Sequence, residues 1–168
     1  RGIAIAGVMG GLNSEIEEDT KTIIVESANF AGSSVRTTSK KLGLRTEASA
    51  RFEKGIDPNL CEAAADRVCR LIELTGAGKV CKGSVDNYPV PEEAKTIDIR
   101  VDRINRVLGI ELERQEMVDI LESLEIKVAG SGNIMTVTPP TIRQDLLEEE
   151  DYIEEVARIY GYDKMPVT

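Results

Sequence analysis

Histidine is absent from the 168-residue sequence. The chain therefore lacks the commonest general base near neutral pH and the commonest zinc ligand. Any chemistry on this chain must use carboxylates, hydroxyls, backbone groups or groups that belong to the substrate itself.

Cysteine is scarce, and long apolar runs are missing. Cys61, Cys69 and Cys81 are odd in number and not spaced as Cys-X-X-Cys, so we expect reduced thiols in or near a core. No apolar run approaches the ~20 residues of a membrane span, and no signal peptide is recognisable. These absences favour a cytoplasmic protein without a membrane partner. Because Arg1 runs directly into an apolar stretch, we also expect a piece of a longer protein.

Negative charge is unevenly distributed. The net charge is −9, yet acids and bases balance over residues 1–88, so the excess lies in residues 89–168. Two prolines and a pair of glutamates between Tyr88 and Glu93 are typical of a linker. The sequence therefore predicts an α+β protein of two units, 1–88 and 89–168, with different partners.

The first unit has the signals of a mixed α/β domain. Apolar and β-branched runs predict strands at Ile3–Gly7, Thr22–Glu26 and Lys79–Asn87. A turn is expected at Met9–Asn13 and a short helix after Ser33. Asp57-Pro58 predicts the start of a longer helix, and Gly76 is expected to end it. The apolar residues of this helix recur every three or four positions: Leu60, Ala64, Val68, Leu71 and Leu74.

The second unit predicts the order β-α-α-β-β-α, which is winged-helix-like. Alternation at residues 97–101 indicates a strand, and Asp102 is expected to cap a helix that ends at Gly109. Residues 113–124 and 148–160 have helical apolar spacing. Between them, two short strands flank Gly130–Asn133, which predicts a hairpin.

Two features of the first unit could bind a ligand. Gly7-Val8-Met9-Gly10-Gly11 lacks the Lys-Ser/Thr of a phosphate loop, so it is either a tight turn or a place where backbone approaches a ligand closely. Glu26 ends an apolar run, where a buried carboxylate is costly unless it is paired. Either Arg45 or Arg51 neutralises it, or it accepts a hydrogen bond from a ligand hydroxyl or ammonium group.

A local basic patch occurs in this otherwise neutral unit. It could contact nucleic-acid phosphates, or it could be a solvated face. Its members are Arg36, Lys40, Lys41, Arg45, Arg51 and Lys54.

Acids are densest around the start of the last helix. They could simply favour the helix dipole, or a hard cation such as Mg²⁺ could relieve their repulsion. Acids also dominate residues 111–125, the segment that would enter DNA in a winged helix, so protein docking is the better expectation there. The cluster at the last helix comprises Asp145, Glu148, Glu149, Glu150, Asp151, Glu154 and Glu155.

Three motifs together resemble the bacterial phenylalanyl-tRNA synthetase β subunit family. They are Leu44–Pro58 (LRTEASARFEKGIDP), Val25–Phe30 (VESANF) and Arg158–Asp163 (RIYGYD). The resemblance implies the C-terminal part of a B3/B4 editing domain followed by a B5 domain. It also implies an α₂β₂ enzyme that charges tRNA(Phe) with the help of ATP bound outside this chain. The β subunit of that family hydrolyses mischarged Tyr-tRNA(Phe).

The resemblance also implies site residues. The editing pocket, which receives the 3′ end of tRNA(Phe), would be lined by Gly10, Glu26, Thr46 and Ala48. Glu26 would accept the tyrosine hydroxyl. The family also uses a histidine from an earlier segment, which this chain does not contain, so no catalytic residue is assigned here. A Mg²⁺ site shared with the α subunit would use Asp145, Asp151, Glu154 and Glu155. A non-enzymatic nucleic-acid-binding module and a docking scaffold remain the alternatives.

Overall fold

The computed structural model describes residues 2–166, which form two compact units that divide between Pro91 and Glu92. The division lies inside the proline-containing segment at 88–93. Both units combine helices with a small sheet, so the predicted α+β class is confirmed. None of the described helices is both long and apolar enough to cross a membrane.

The first unit has a two-stranded hairpin and three helices. In chain order these are β1 (Ala4–Ile5), β2 (Met9–Gly10), α1 (Gly32–Leu42), α2 (Glu47–Phe52) and α3 (Cys61–Leu74). The strand predicted at Ile3–Gly7 shrinks to two residues because the chain reverses earlier than expected, at residues 6–8. Gly7 makes this possible, since its φ of +70° belongs to the left-handed region that glycine adopts freely.

A small apolar core lies behind this turn. Val8 and Val35 are buried, and the rings of Phe30 and Phe52 meet edge to face with centroids 4.9 Å apart. A Cβ added to Gly7 would come within 2.9 Å of a Val35 methyl group. The core therefore needs glycine for the close approach as well as for the backbone angle.

Two strands predicted for the first unit do not form. Residues 22–26 and 79–87 contain no strand, and the Ile24 side chain is 95% exposed. A strand needs a neighbour for its N–H and C=O groups. These runs have the composition of strands, but within residues 2–166 they find no neighbour to pair with, so both predictions are wrong.

Helix α3 forms where the sequence predicts it. The Asp57 carboxylate accepts a hydrogen bond from the backbone N–H of Asn59 at 2.9 Å and caps a 3-10 helix, Pro58–Leu60, that leads directly into α3. Yet no residue of α3 is buried, and the apolar row at Leu60, Val68 and Leu74 is exposed. All three cysteines are free, as expected, and those at positions 61 and 69 are half-buried, but the one at position 81 is exposed rather than near a core.

The second unit has the predicted β-α-α-β-β-α order. Its elements are β3 (Ile97–Arg100), α4 (Val101–Leu108), α5 (Arg114–Ser123), β4 (Lys127–Ala129), β5 (Ile134–Thr138) and α6 (Glu149–Tyr160). The antiparallel sheet has the order β3-β5-β4, with Ile99 opposite Met135 and Val128 opposite Val137. The helices cover this sheet and close a continuous core, whose fully buried members are Ile99, Ile104, Met117, Leu121, Ile126, Met135, Val137, Tyr152 and Val156.

Local sequence signals set the helix ends of this unit. Glu113 and Glu116 form a capping box at α5, and Gly109 ends α4 with a φ of +67°. Asp102 is not the N-cap that the sequence predicts, because Arg100 occupies that position. Instead, the Asp102 carboxylate accepts a hydrogen bond from the Asn133 side-chain amide at 2.8 Å. Aspartate in the first turn thus ties α4 to the hairpin.

Candidate functional site

Thr46 joins the start of α2 to the β1–β2 hairpin. Its hydroxyl donates a hydrogen bond to the Val8 carbonyl at 2.7 Å and accepts one from the Ser49 backbone N–H at 3.1 Å. The Ser49 hydroxyl in turn accepts from the Thr46 backbone N–H at 2.9 Å, which completes a capping box. Since Thr46 and Val8 are 38 positions apart in the chain, this bond fixes the hairpin against the helix.

The Thr46–Val8 contact links the two segments that contain three of the four predicted pocket residues. Gly10 follows Val8 by two residues and Ala48 follows Thr46 by two residues. A Cβ added to Gly10 would meet no atom within 4 Å, and Ala48 is exposed. Small residues thus border open space at both positions, and the pocket itself stays a prediction.

Glu26 does not behave as the sequence predicts. It is exposed and lies outside any helix or strand. Neither expected arginine reaches it, because Arg45 pairs with Glu53 at 3.5 Å and Arg51 pairs with Glu47 at 3.8 Å. No hydrogen bond or ion pair in the described part of the chain connects Glu26 with the other three pocket residues.

Two buried serines support the site and were missed in the sequence. Ser49 is 1% exposed, and its hydroxyl lies 3.4 Å from that of Ser39, which donates to the Leu44 carbonyl. They hold the turn between α1 and α2 in place. The run Thr46-Glu47-Ala48-Ser49 has the spacing of a helix cap, which is the signal that could have revealed Ser49.

A cavity of about 700 Å³ opens beside this turn, between α1 and the chain around α2. We call it the basic cavity, because four of the six residues of the predicted basic patch line it. Lys41 and Arg51 are not among its lining residues. The lining consists of Arg36, Ser39, Lys40, Gly43, Arg45, Glu53 and Lys54.

In the second unit, arginines already neutralise half of the predicted metal ligands. The Arg143 guanidinium donates to Asp145 at 2.7 Å and to Glu155 at 3.1 Å, and Arg158 donates to Glu155 at 2.6 Å. The hydrogen bond from Arg143 lowers the pKa of Asp145 below its ordinary value. Burial of Glu155 acts to raise its pKa, but hydrogen bonds from Arg158 and Arg143 reverse the direction, so this pKa is also lowered.

The other two predicted ligands have different surroundings. Asp151 accepts hydrogen bonds from the backbone N–H groups of Leu147 and Glu148, each at 2.8 Å, and so caps α6. Glu154 is exposed. Within residues 2–166, no three aspartate, glutamate, cysteine or histidine side chains form a group that could hold a metal ion. The carboxylates are chemically suited to Mg²⁺, but in this arrangement they do not fit one.

An ion-pair network at the start of α6 also went unnoticed in the sequence. Arg100 donates to Glu149 from its backbone N–H and from its guanidinium, each at 2.7 Å. Arg103 lies 3.4 Å from Glu149 and also pairs with Glu150. The hydrogen bond from the Arg100 side chain lowers the pKa of Glu149. The acids at this helix start are therefore mostly bound within the unit.

Comparison with known proteins identifies both units. The family model of the B3/4 domain matches residues 1–76, and that of the tRNA synthetase B5 domain matches residues 97–162. A solved N-terminal fragment of the phenylalanyl-tRNA synthetase β subunit from Pyrococcus horikoshii has 29% identity and a TM-score of 0.39. That match covers 41% of this chain and 20% of the solved chain.

Curated relatives match along the whole sequence. The phenylalanine–tRNA ligase β subunit of Clostridium tetani is 48% identical over 168 residues, which is 100% of this chain and 21% of the relative. That of Bacillus subtilis is 47% identical over 165 residues, 98% of this chain and 20% of the relative. The chain thus spans about a fifth of the length of these relatives. It belongs to the phenylalanine–tRNA ligase β subunit family, of which it contains B3/4 sequence followed by a B5 domain.

Proposed function

We propose that this chain works in the cytoplasm as part of phenylalanine–tRNA ligase, where its first unit helps to remove tyrosine from mischarged tRNA(Phe). The observation that carries the proposal is the 48% identity with a phenylalanine–tRNA ligase β subunit along the entire chain. A pocket shaped for phenylalanine cannot strongly reject a ring that only adds a hydroxyl, so charging needs a second site that reads this hydroxyl.

The local geometry supports a binding role for the first unit. The Thr46–Val8 hydrogen bond ties the hairpin that contains Gly10 to the start of α2, where Ala48 lies. Gly10 borders open space and Ala48 is exposed, so neither would obstruct an aminoacyl ester. The Thr46 hydroxyl already donates a hydrogen bond to the Val8 carbonyl and accepts one from Ser49, so it positions the start of α2 and can offer a ligand only its remaining lone pair. Glu26 is proposed to accept the tyrosine hydroxyl, and its exposure leaves the carboxylate available for it.

Three substitutions in the full-length parent protein test this proposal. Glu26→Ala should slow the deacylation of Tyr-tRNA(Phe), while phenylalanine charging is retained. Gly10→Trp and Ala48→Trp should block the pocket by volume, since both positions border open space. Glu62→Ala, an exposed acid on α3, is the matched control and should edit normally. Normal deacylation by all three pocket variants would overturn the proposal.

We also propose that the second unit docks onto the α subunit of an α₂β₂ enzyme rather than onto nucleic acid. The acids of the α5 region are all exposed, and such a face repels phosphates. These acids are Glu111, Glu113, Glu116, Asp119, Glu122 and Glu125.

The magnesium ion that the resemblance implies at this interface stays a prediction, and no step of the function above depends on it. Combined Asp151→Asn and Glu155→Gln changes in the parent, followed by sedimentation with and without Mg²⁺, test it. Weaker assembly of the variant, together with a Mg²⁺ requirement in the unmodified enzyme, would support the metal. Full assembly that is indifferent to both would mean that these acids serve the helix alone.

A further inference from the structure

The basic cavity has more positive charge than its fold requires. Arg36, Lys40, Arg45 and Lys54 line it, and Glu53 is the one acid among the described lining residues. Glu53 pairs with Arg45, whose side chain nevertheless remains 79% exposed. The other three cations form no ion pair with any residue in the described part of the chain. Like charges held together around one cavity repel each other unless an anion joins them.

Helix electrostatics explains only part of this arrangement. Lys40 and Lys41 are in the last turn of α1, where cations interact favourably with the helix dipole. Arg36 lies one turn earlier, and Arg45 and Lys54 are outside both helices. The dipole therefore accounts for one of the four lining cations and leaves the other three unexplained.

The cavity walls are rigidly supported. Gly43 ends α1 in the left-handed conformation, with a φ of +65°, and its backbone N–H returns to the Lys40 carbonyl. The buried Ser39 hydroxyl donates to the Leu44 carbonyl and so fixes the turn that follows. The positions of Lys40 and Arg45 are thus set by backbone geometry before any ligand arrives.

We infer that the basic cavity binds backbone phosphates of an RNA strand whose end enters the neighbouring editing pocket; this inference rests on the proposed function. None of the described lining residues is aromatic, so the cavity lacks a platform for base stacking and would contact phosphates irrespective of sequence. Its volume of about 700 Å³ exceeds what a single phosphate needs. Arg45, which lines the cavity, directly precedes Thr46 of the proposed pocket, so the inferred strand would contact the cavity next to the pocket.

Charge reversal in the 168-residue chain tests the inference. A fluorescent single-stranded RNA that ends in the tRNA(Phe) acceptor sequence serves as the probe. Lys40→Glu combined with Lys54→Glu should weaken binding by at least about tenfold and make the salt dependence shallower by about 0.7 for each phosphate that the variant no longer neutralises. The matched control is Lys21→Glu combined with Lys41→Glu, which changes the net charge equally but touches no lining residue, and it should weaken binding by no more than about twofold.

The outcomes separate the possible ligands. Equal weakening by both double variants would overturn the inference, because it would indicate only general charge attraction. Inorganic phosphate that binds more tightly than the RNA at constant ionic strength would also overturn it, in favour of a site for a small free anion. Circular dichroism and the thermal midpoint confirm that each variant folds, and the Lys40→Gln and Lys54→Gln pair repeats the test without introducing acids. RNA binding is measured without hydrolysis, so normal deacylation by the pocket variants, which would overturn the proposed function, would leave this result intact.

Discussion

The hydroxyl of Tyr152 lies in the apolar core of the second unit. The residue is fully buried, and its hydroxyl has no hydrogen-bond partner among the described residues. Burial raises the pKa of this phenol to about 12, which keeps it neutral. We expect Tyr152→Phe to raise the free energy of unfolding by about 1 kcal/mol, because it removes a buried polar group that is unpaired.

Urea denaturation of the 168-residue chain measures this effect. Tyr160→Phe is the control, since Tyr160 is only half-buried, and it should change the free energy of unfolding little. A loss of stability on Tyr152→Phe would mean that the hydroxyl has a bonding partner after all.

Glu149 makes the stability of the second unit depend on pH. Its pKa is lowered from the ordinary value of 4.5, chiefly by the hydrogen bond from the Arg100 side chain. The unfolded chain therefore binds the proton more readily, so this contribution is present above pH 4.5 and is lost as the pH falls through the lower, folded-state pKa. The urea midpoint should decrease over that range, and Glu149→Gln should flatten the decrease. Glu154→Gln removes an exposed carboxylate instead and should leave the slope unchanged.

At the scale of elements, Arg143 connects the loop before α6 to the helix itself. Arg143→Ala would leave Asp145 and the buried Glu155 with fewer cations, and we expect a loss of about 1–2 kcal/mol in the free energy of unfolding. The same change would leave Asp145 without its cation and Glu155 paired only with Arg158, so a divalent ion could compete for these carboxylates. Mg²⁺ should therefore raise the thermal midpoint of the Arg143→Ala variant and leave that of the unmodified chain unchanged. Stabilisation of both proteins by Mg²⁺ would contradict this account.

Elements of the second unit could be predicted because their signals are local and their partners lie nearby in the chain. Three local signals mark this unit: the alternation at residues 97–101, the glycines at 130 and 132, and the apolar spacing of α6. The elements that they mark pack against one another in a single core. The run Thr22–Glu26 has equally good strand composition. It failed as a prediction because composition describes one strand, whereas a strand exists only beside another.

The candidate sites were predictable to a smaller extent. The density of acids before α6 is visible in the sequence, but the arginines that neutralise them are not. Arg100 and Glu149 are 49 residues apart, and only the fold brings them together. Arg143 is close to Asp145 in the chain, yet its second contact, with Glu155, requires the loop to fold back onto α6. The pocket residues are predicted from the family resemblance, whereas the hydrogen bond by which the Thr46 hydroxyl fixes the hairpin against α2 is seen only in the structure.

At the scale of the whole molecule, the chain is expected to make no aminoacyl-tRNA alone. The glycine-rich segment at its start is a hairpin turn without the lysine and hydroxyl of a phosphate loop. Purified 168-residue chain should show no phenylalanine-dependent exchange of pyrophosphate into ATP, while the complete enzyme provides the positive control. Exchange above the buffer background would show that this chain has an ATP site.

The unpaired stretches of the first unit have a consequence for how the chain is digested. Lys79 and Lys82, together with Lys95 just beyond the division between the units, are exposed and lie outside any helix or strand. A protease can therefore draw the backbone around them into its cleft with little unfolding. In the second unit, Arg100, Arg103 and Arg143 are held in ion pairs over a closed core. Brief exposure to trypsin should therefore cut after these lysines first and release the B5 unit whole.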